Sequence, residues 1–212
     1  MDNLKEILEK ATSASGAKDY QTAFEIWKSL AEQRNAEAQI NLGRMYSYGR
    51  GVKQNHKKAV KCYQLAGEQG NAEAQFNCGL MHHNGLGVKQ DHKEAVKWYQ
   101  LAGEQGNAEA QINLGRMYVN GRGVSQDNKE AVKWYQLAGE QGNAEAQFNL
   151  GVMYDEGQGV DQDYVLAHMW YNLAGSSGNK DSTKNKKLLE EKMTSHQIEK
   201  AQEMARNWKP KK

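Results

Sequence analysis

The sequence predicts an all-α solenoid, an array of stacked helical hairpins closed by capping helices. Three observations carry that prediction. One phrase recurs four times without insertion, as AEAQINLGRMYSYGRGV, AEAQFNCGLMHHNGLGV, AEAQINLGRMYVNGRGV and AEAQFNLGVMYDEGQGV, each followed by a segment of the type KKAVKCYQLAGEQGN. Gly43, Gly79, Gly115 and Gly151 stand 36 residues apart, as do Gly49, Gly85, Gly121 and Gly157. Within each unit the apolar residues recur at i, i+3, i+4 and i+7, the amphipathic helical pattern. A fixed period of this size marks an array in which each unit buries its apolar face against its neighbours.

The elements follow in order. Residues 1–35 read as a degenerate helical pair: Leu4, Ile7, Leu8 and Ala11 mark a first helix, and Ala23, Trp27 and Leu30 a second over residues 17–34, without the double-glycine loop. Four full units occupy 36–71, 72–107, 108–143 and 144–179. In the second of them Asn71 caps a helix that runs to His83 or Asn84, and Glu73 complements the positive end of its dipole. Gly85 and Gly87 stop it, Val88 plugs the loop into the core, and Asp91 caps a second helix from His92 to Gln105. Ala74, Gly79, Ala95, Ala102 and Gly103 allow close approach, while Val96, Trp98, Tyr99 and Leu101 fill the larger gaps. Residues 180–208 form two charged capping helices whose apolar side is Leu188, Leu189, Met193, Ile198, Ala201, Met204, Ala205 and Trp208, with Ser195 capping the second. A basic tail, 209–212, ends the chain.

Composition excludes several function classes. The 28 basic and 26 acidic residues are interspersed and leave a formal charge of only +2, too weak a field to make nucleic acid or an anionic membrane the default partner. Hydrophobic content is 38% and mean hydropathy −0.92, and no stretch reaches the ~20 apolar residues that span a bilayer. The start MDNLKEILEK is charged and amphipathic, so the chain as written is expected to be cytoplasmic, or exported if a leader has been removed. A monomer is expected. Cys62 and Cys78 are the only cysteines; they take the places of Trp98, Trp134 and Trp170 and of Leu42, Leu114 and Leu150. They read as buried thiols, with a disulfide as the alternative in an exported chain.

The string A-E-A-Q-x-N-L-G-x-M-Y-x-x-G-x-G-V, then A-V-K-W-Y-Q-L-A-G-E-Q-G-N, resembles the Sel1-like repeat, a relative of the tetratricopeptide repeat with a longer glycine loop. The closing KMTSHQIEKAQEMARNW also looks like the end of bacterial members. His82, Cys62 and Cys78 depart from the pattern. The resemblance implies a right-handed α/α superhelix that binds a protein or peptide as a non-catalytic adaptor. It also offers two alternatives: an immunity protein neutralising a secreted bacterial toxin, and, in another class, a hydrolase of β-lactams or cell-wall peptides.

The residues give the hydrolase little. Ser15 to Lys18 and Ser177 to Lys180 have the serine–lysine spacing of penicillin-recognising enzymes, but they lie in interhelical segments and no SDN or KTG companion accompanies them. His56, His82, His83 and His92 lack a carboxylate or cysteine at tight ligand spacing, so no metal and no cofactor is expected. The stripe Met45, Met81, Met117 and Met153 reads as core, and Asn41, Asn77, Asn113 and Asn149 as an interhelical hydrogen-bond ladder. Constant positions thus read as scaffold and varying ones as recognition. By analogy with related superhelices the concave face is expected at Ile40, Arg44, Ser47 and Tyr48; Phe76, Leu80, His83 and Asn84; Ile112, Arg116, Val119 and Asn120; and Phe148, Val152, Asp155 and Glu156. Ile and Phe there form an expected exposed apolar row, and Arg44 and Arg116 are placed to pair with an acidic ligand group. Lys57, Lys58, Lys61, Lys93, Lys97, Lys129 and Lys133 read as a solvated convex face.

Overall fold

The computed structural model describes residues 2–211, with side chains from Leu4; Met1 and Lys212, the last residue of the basic tail, lie outside them. The described residues form twelve α-helices and no strand. They are α1 Asp2–Gly16, α2 Tyr20–Glu32, α3 Ala36–Tyr48, α4 His56–Gly67, α5 Ala72–Asn84, α6 His92–Glu104, α7 Ala108–Asn120, α8 Asn128–Glu140, α9 Ala144–Glu156, α10 Tyr164–Ser176, α11 Lys180–Glu190 and α12 Ser195–Asn207. The chain divides into two compact units, the first ending at Ala102 and the second starting at Gly103.

Local chemistry starts and stops each helix. Asn35, Asn71, Asn107, Asn143 and Asn179 cap the first helices, their Oδ1 atoms accepting from the N–H three residues on at 2.8–3.1 Å. Asp91 does the same for α6, accepting from Glu94 N at 3.0 Å. Gly49, Gly85, Gly121 and Gly157 end the first helices at φ of 62–69°, the left-handed region that a Cβ disfavours. At the other end of the chain Thr194, not Ser195, is the cap of α12. Its hydroxyl accepts from Gln197 N while the Gln197 side chain accepts from Thr194 N, a reciprocal box. The preceding residue wins because only from there does the hydroxyl reach the third N–H of the helix.

In the first unit each helix packs on the next from α1 through α4 to α5, and α6 meets α5 where Tyr99 lies against Gly79. The core holds Ala23, Trp27, Leu30, Ile40, Met45, Tyr63 and Met81, with Val52 and Val88 packed against it from the loops. In the second unit α7 packs on α8, α8 on α9 and α9 on α10, and both α11 and α12 close on α10. Its core includes Ile112, Tyr135, Leu150, Met153 and Trp170; Leu189 seals α11 onto Ala167 and Tyr171. Two expected core leucines face outward: Leu101 is 46% and Leu188 51% exposed, as each lies on the solvent stripe of its helix.

Amides bind the layers, and they are glutamines. Gln39, Gln75, Gln111 and Gln147 are buried, and their Nε2 atoms donate to the carbonyls of Ala31, Gly67, Gly103 and Gly139 at 2.8–3.3 Å. Gln69 and Gln141 donate in turn to Gln39 and Gln111 Oε1 at 2.7 and 2.8 Å. The expected asparagine ladder does not form: Asn41, Asn77 and Asn113 donate back to the carbonyls of Glu37, Glu73 and Glu109 in their own helices.

Candidate functional site

The varying first-helix positions divide by depth. Ile40 and Ile112 are buried in the two cores, so they supply no exposed apolar row. Phe76 and Phe148 are half-buried, their rings 5.9 and 6.0 Å from those of Tyr99 and Tyr171. Their bulk is taken up by the tyrosine of their own hairpin. Leu80 and Val152, and with them Ser47, His83, Val119 and Asp155, are half-buried. Arg44, Tyr48, Asn84, Arg116, Asn120 and Glu156 are exposed.

The two arginines are already partnered. Arg44 forms an ion pair with Glu73, and Arg116 with Glu145. Each joins one first helix to the first turn of the next, 29 residues on. Such half-exposed pairs contribute ~0–1 kcal/mol and orient the guanidinium rather than freeing it for a ligand. At the far end Lys192 reaches Asp155 at 3.6 Å.

Tyr48 is 67% exposed. The Arg50 guanidinium lies 5.3 Å from its ring centroid and 5.7 Å from that of Tyr20, a cation–aromatic cluster at the end of α3. The chain path that presents it is fixed: Gln54 Nε2 donates to Ser47 O at 2.7 Å, as Gln90 and Gln162 do to His83 and Asp155.

Other candidate chemistry is dispersed. The His83 and His92 rings are 5.1 Å apart, edge to face, but no group of three or more metal-ligating residues converges among the described residues. Ser15 lies inside α1 rather than in a loop, where Trp27 Nε1 donates to its hydroxyl at 3.4 Å. Ser177 is the C-cap of α10, and Lys180 opens α11. Cys62 and Cys78 are free, buried thiols. Burial pushes the Cys62 thiol up to about 11 and Cys78 up to about 12, which leaves little thiolate near neutrality.

A feature that the periodicity alone hides is a cavity of about 560 Å³ between α2, α3 and α4, with Cys62 in its wall. What sets it apart in the sequence is Cys62 at a tryptophan position, which reads as packing, while the groove it lines is visible only in three dimensions.

A model of the Sel1 repeat matches residues 36–71, 72–107, 108–143 and 144–179. The chain belongs to the Sel1 repeat family. A Sel1 repeat protein from Oxalobacter formigenes is 36% identical with a TM-score of 0.78, over 82% of this chain and 71% of that one. The c5321 protective antigen of uropathogenic Escherichia coli is also 36% identical, TM-score 0.79, over 88% of this chain but 40% of its own. The immunity protein Pa5087 of Pseudomonas aeruginosa, 23% identical with a TM-score of 0.53 over 86% of this chain and 69% of its own, shares the fold. Comparison with curated proteins gives no match. Sel1 repeats are typically non-catalytic scaffolds that mediate protein–protein interaction, and no helix among the described residues is long and apolar enough to cross a membrane.

Proposed function

We propose that this Sel1 repeat protein is a non-catalytic adaptor that holds a protein or peptide on the exposed side of its first helices. The observation that supports it is the split between constancy and burial. Within the first helices the Gly43-type glycine, the Gln39-type glutamine and the Met45-type methionine are identical and buried in all four repeats. The position after Ser47, His83, Val119 and Asp155 is exposed in every copy and carries Tyr48, Asn84, Asn120 and Glu156. A helix that keeps these buried positions constant while varying this exposed one has the form of a recognition surface. Tyr48 with Arg50 is its strongest anchor, since Tyr and Arg are enriched among residues that dominate binding energy.

The test is capture from native lysate on immobilised protein, alongside a Tyr48→Ala, Arg50→Ala variant of unchanged helicity. A stoichiometric protein partner that is lost in the variant supports the reading. A partner retained at full yield by the variant sinks the assignment to this face, and hydrolysis of nitrocefin by pure protein sinks the non-catalytic one.

A further inference from the structure

The 560 Å³ cavity differs from the equivalent groove of the second unit, about 640 Å³ and lined by Trp134, in having Cys62 in place of an indole. In the first unit Trp98 Cζ3 would stand 3.1 Å from a Cβ on Gly67. In the second unit Trp134 stands as close to Gly103, and Trp170 Cζ3 would be 3.6 Å from a Cβ on Gly139. Each indole thus covers a helical glycine that has no side chain to obstruct it. At the corresponding pair one repeat earlier both members change together: Cys62 replaces tryptophan and Ala31 replaces glycine. The floor is slightly more open. Leu42 keeps 7% exposure, whereas its counterparts Leu114 and Leu150 have none.

The equivalent groove of the second unit shows what such a place accepts. There the chain's own C-terminal segment lies along the end of α8. Lys211 N–H donates to Glu140 O at 2.8 Å, Lys211 Nζ pairs with the Glu140 carboxylate at 2.9 Å, and Trp208 and Pro210 approach Gly142. An extended peptide with an aromatic residue therefore docks on this edge. That groove is acidic, through Glu104 and Glu140, and the segment that fills it is basic. The first-unit cavity has the opposite sign: Lys28, Arg34, Lys58 and Lys61 outnumber Glu32 and Glu68 in its lining. Lys58 Nζ lies 5.1 Å from the Tyr46 ring centroid, over the cavity wall. Gly70, the counterpart of Gly142, has nothing near it.

We infer that the cavity beside Cys62 is a docking site for an extended acidic segment of a partner protein, with one aromatic side chain inserted where the other hairpins keep their own indole. This rests on the protein-binding reading but uses the side of α2 and α4, away from Tyr48. Apolar contact with Leu42, Leu65 and Tyr46 supplies the anchor, and the lysines supply the sign.

The probe is acetyl-Glu-Trp-Glu-Glu-amide, titrated by calorimetry at low and moderate salt. Binding is expected, weakened at least tenfold when the peptide's tryptophan becomes alanine or its glutamates become lysines. Cys62→Trp combined with Ala31→Gly, which rebuilds the arrangement of Trp98 over Gly67, should weaken it at least tenfold by filling the place of the peptide's tryptophan. Lys28→Glu with Lys61→Glu, both exposed and remote from the core, should weaken it tenfold or more without needing the core to repack. No binding at millimolar peptide, or equal binding by both variants, overturns the inference. Either result leaves partner capture through Tyr48 unaffected, so the two readings fail separately.

Discussion

The ring of Tyr63 lies against the backbone of Gly43, so close that a Cβ on Gly43 would stand 2.6 Å from Tyr63 Cε1. The same contact recurs at 2.4 Å between Gly79 and Tyr99, Gly115 and Tyr135, and Gly151 and Tyr171. It fixes how near the two helices of a hairpin approach. Gly115→Ala should therefore destabilise by about 1–3 kcal/mol, the usual cost of overpacking a filled core. Gly16→Ala is the control, because nothing lies within 4 Å and φ there is not positive; it should stabilise by a few tenths of a kcal/mol or leave stability unchanged. Urea unfolding measures both. Equal effects at the two sites would rule out the ring contact as the cause.

Gln111 supports a second prediction. It is 2% exposed, donates to Gly103 O and accepts from Gln141. Gln111→Leu leaves a buried carbonyl without this donor and should cost about 1–3 kcal/mol. Asn113→Ala, which removes a bond within one helix, should cost less than about 1 kcal/mol. The reverse ranking in urea unfolding would restore the asparagine ladder.

That contrast marks what the sequence makes legible. Spacing gives the hairpins, the loops and the caps of the repeats, because Gly85 and Asn71 act through local backbone geometry that the sequence states directly. Spacing cannot tell which of two constant amides points inward: Gln39 and Asn41 recur with the same period, and only helix packing decides that the longer side chain reaches the preceding carbonyl. It also misplaces Ile40 and Ile112, since a first helix flanked on two sides buries a wider arc than one exposed face allows. Arg44 and Glu73 are 29 residues apart, so their pairing depends on how one repeat stacks on the next.

Alkaline pH should loosen the core. Burial raises the Cys62 thiol to about 11, and Cys78, Tyr135 and Tyr171 to about 12. In the unfolded chain thiols ionise near 9.0, so between pH 9 and these values the unfolded state holds fewer protons than the folded one. Stability is then fully present below about pH 9 and falls as pH rises. The urea midpoint should drop steadily from about pH 8.5 to 10.5, with a shallower slope in Cys62→Ser, Cys78→Ser. A flat midpoint would mean that the thiols are not desolvated.

The cap of α12 distinguishes two adjacent hydroxyls. Thr194→Ala breaks the reciprocal box with Gln197 and should lower stability by about 1 kcal/mol. Ser195→Ala should change it by less than about 0.5 kcal/mol, since Ser195 is exposed and already inside the helix. Thermal unfolding of the two variants decides between them, and a larger loss at Ser195 would return the cap to that residue.

The docked tail should respond to acid. Burial of the Glu140 carboxyl works against ionisation, but hydrogen bonds from Lys211 and Gln136 outweigh it and hold the group below its ordinary 4.5. A depressed folded value means that its contribution is present above about pH 4.5 and is lost as pH falls through the folded value. The Lys211 amide reports this directly, because it donates to Glu140 O while the Lys211 ammonium pairs with the same residue's carboxylate. Its NMR shift should hold steady from about pH 7 to 5 and move toward the random-coil value below about pH 4.5. Lys211→Ala should weaken docking of Trp208 and Pro210 at every pH while costing global stability less than about 1 kcal/mol, as expected of a largely exposed ammonium. An amide shift that stays constant down to about pH 3 would show that the carboxylate does not hold the tail, and that the backbone bond alone does.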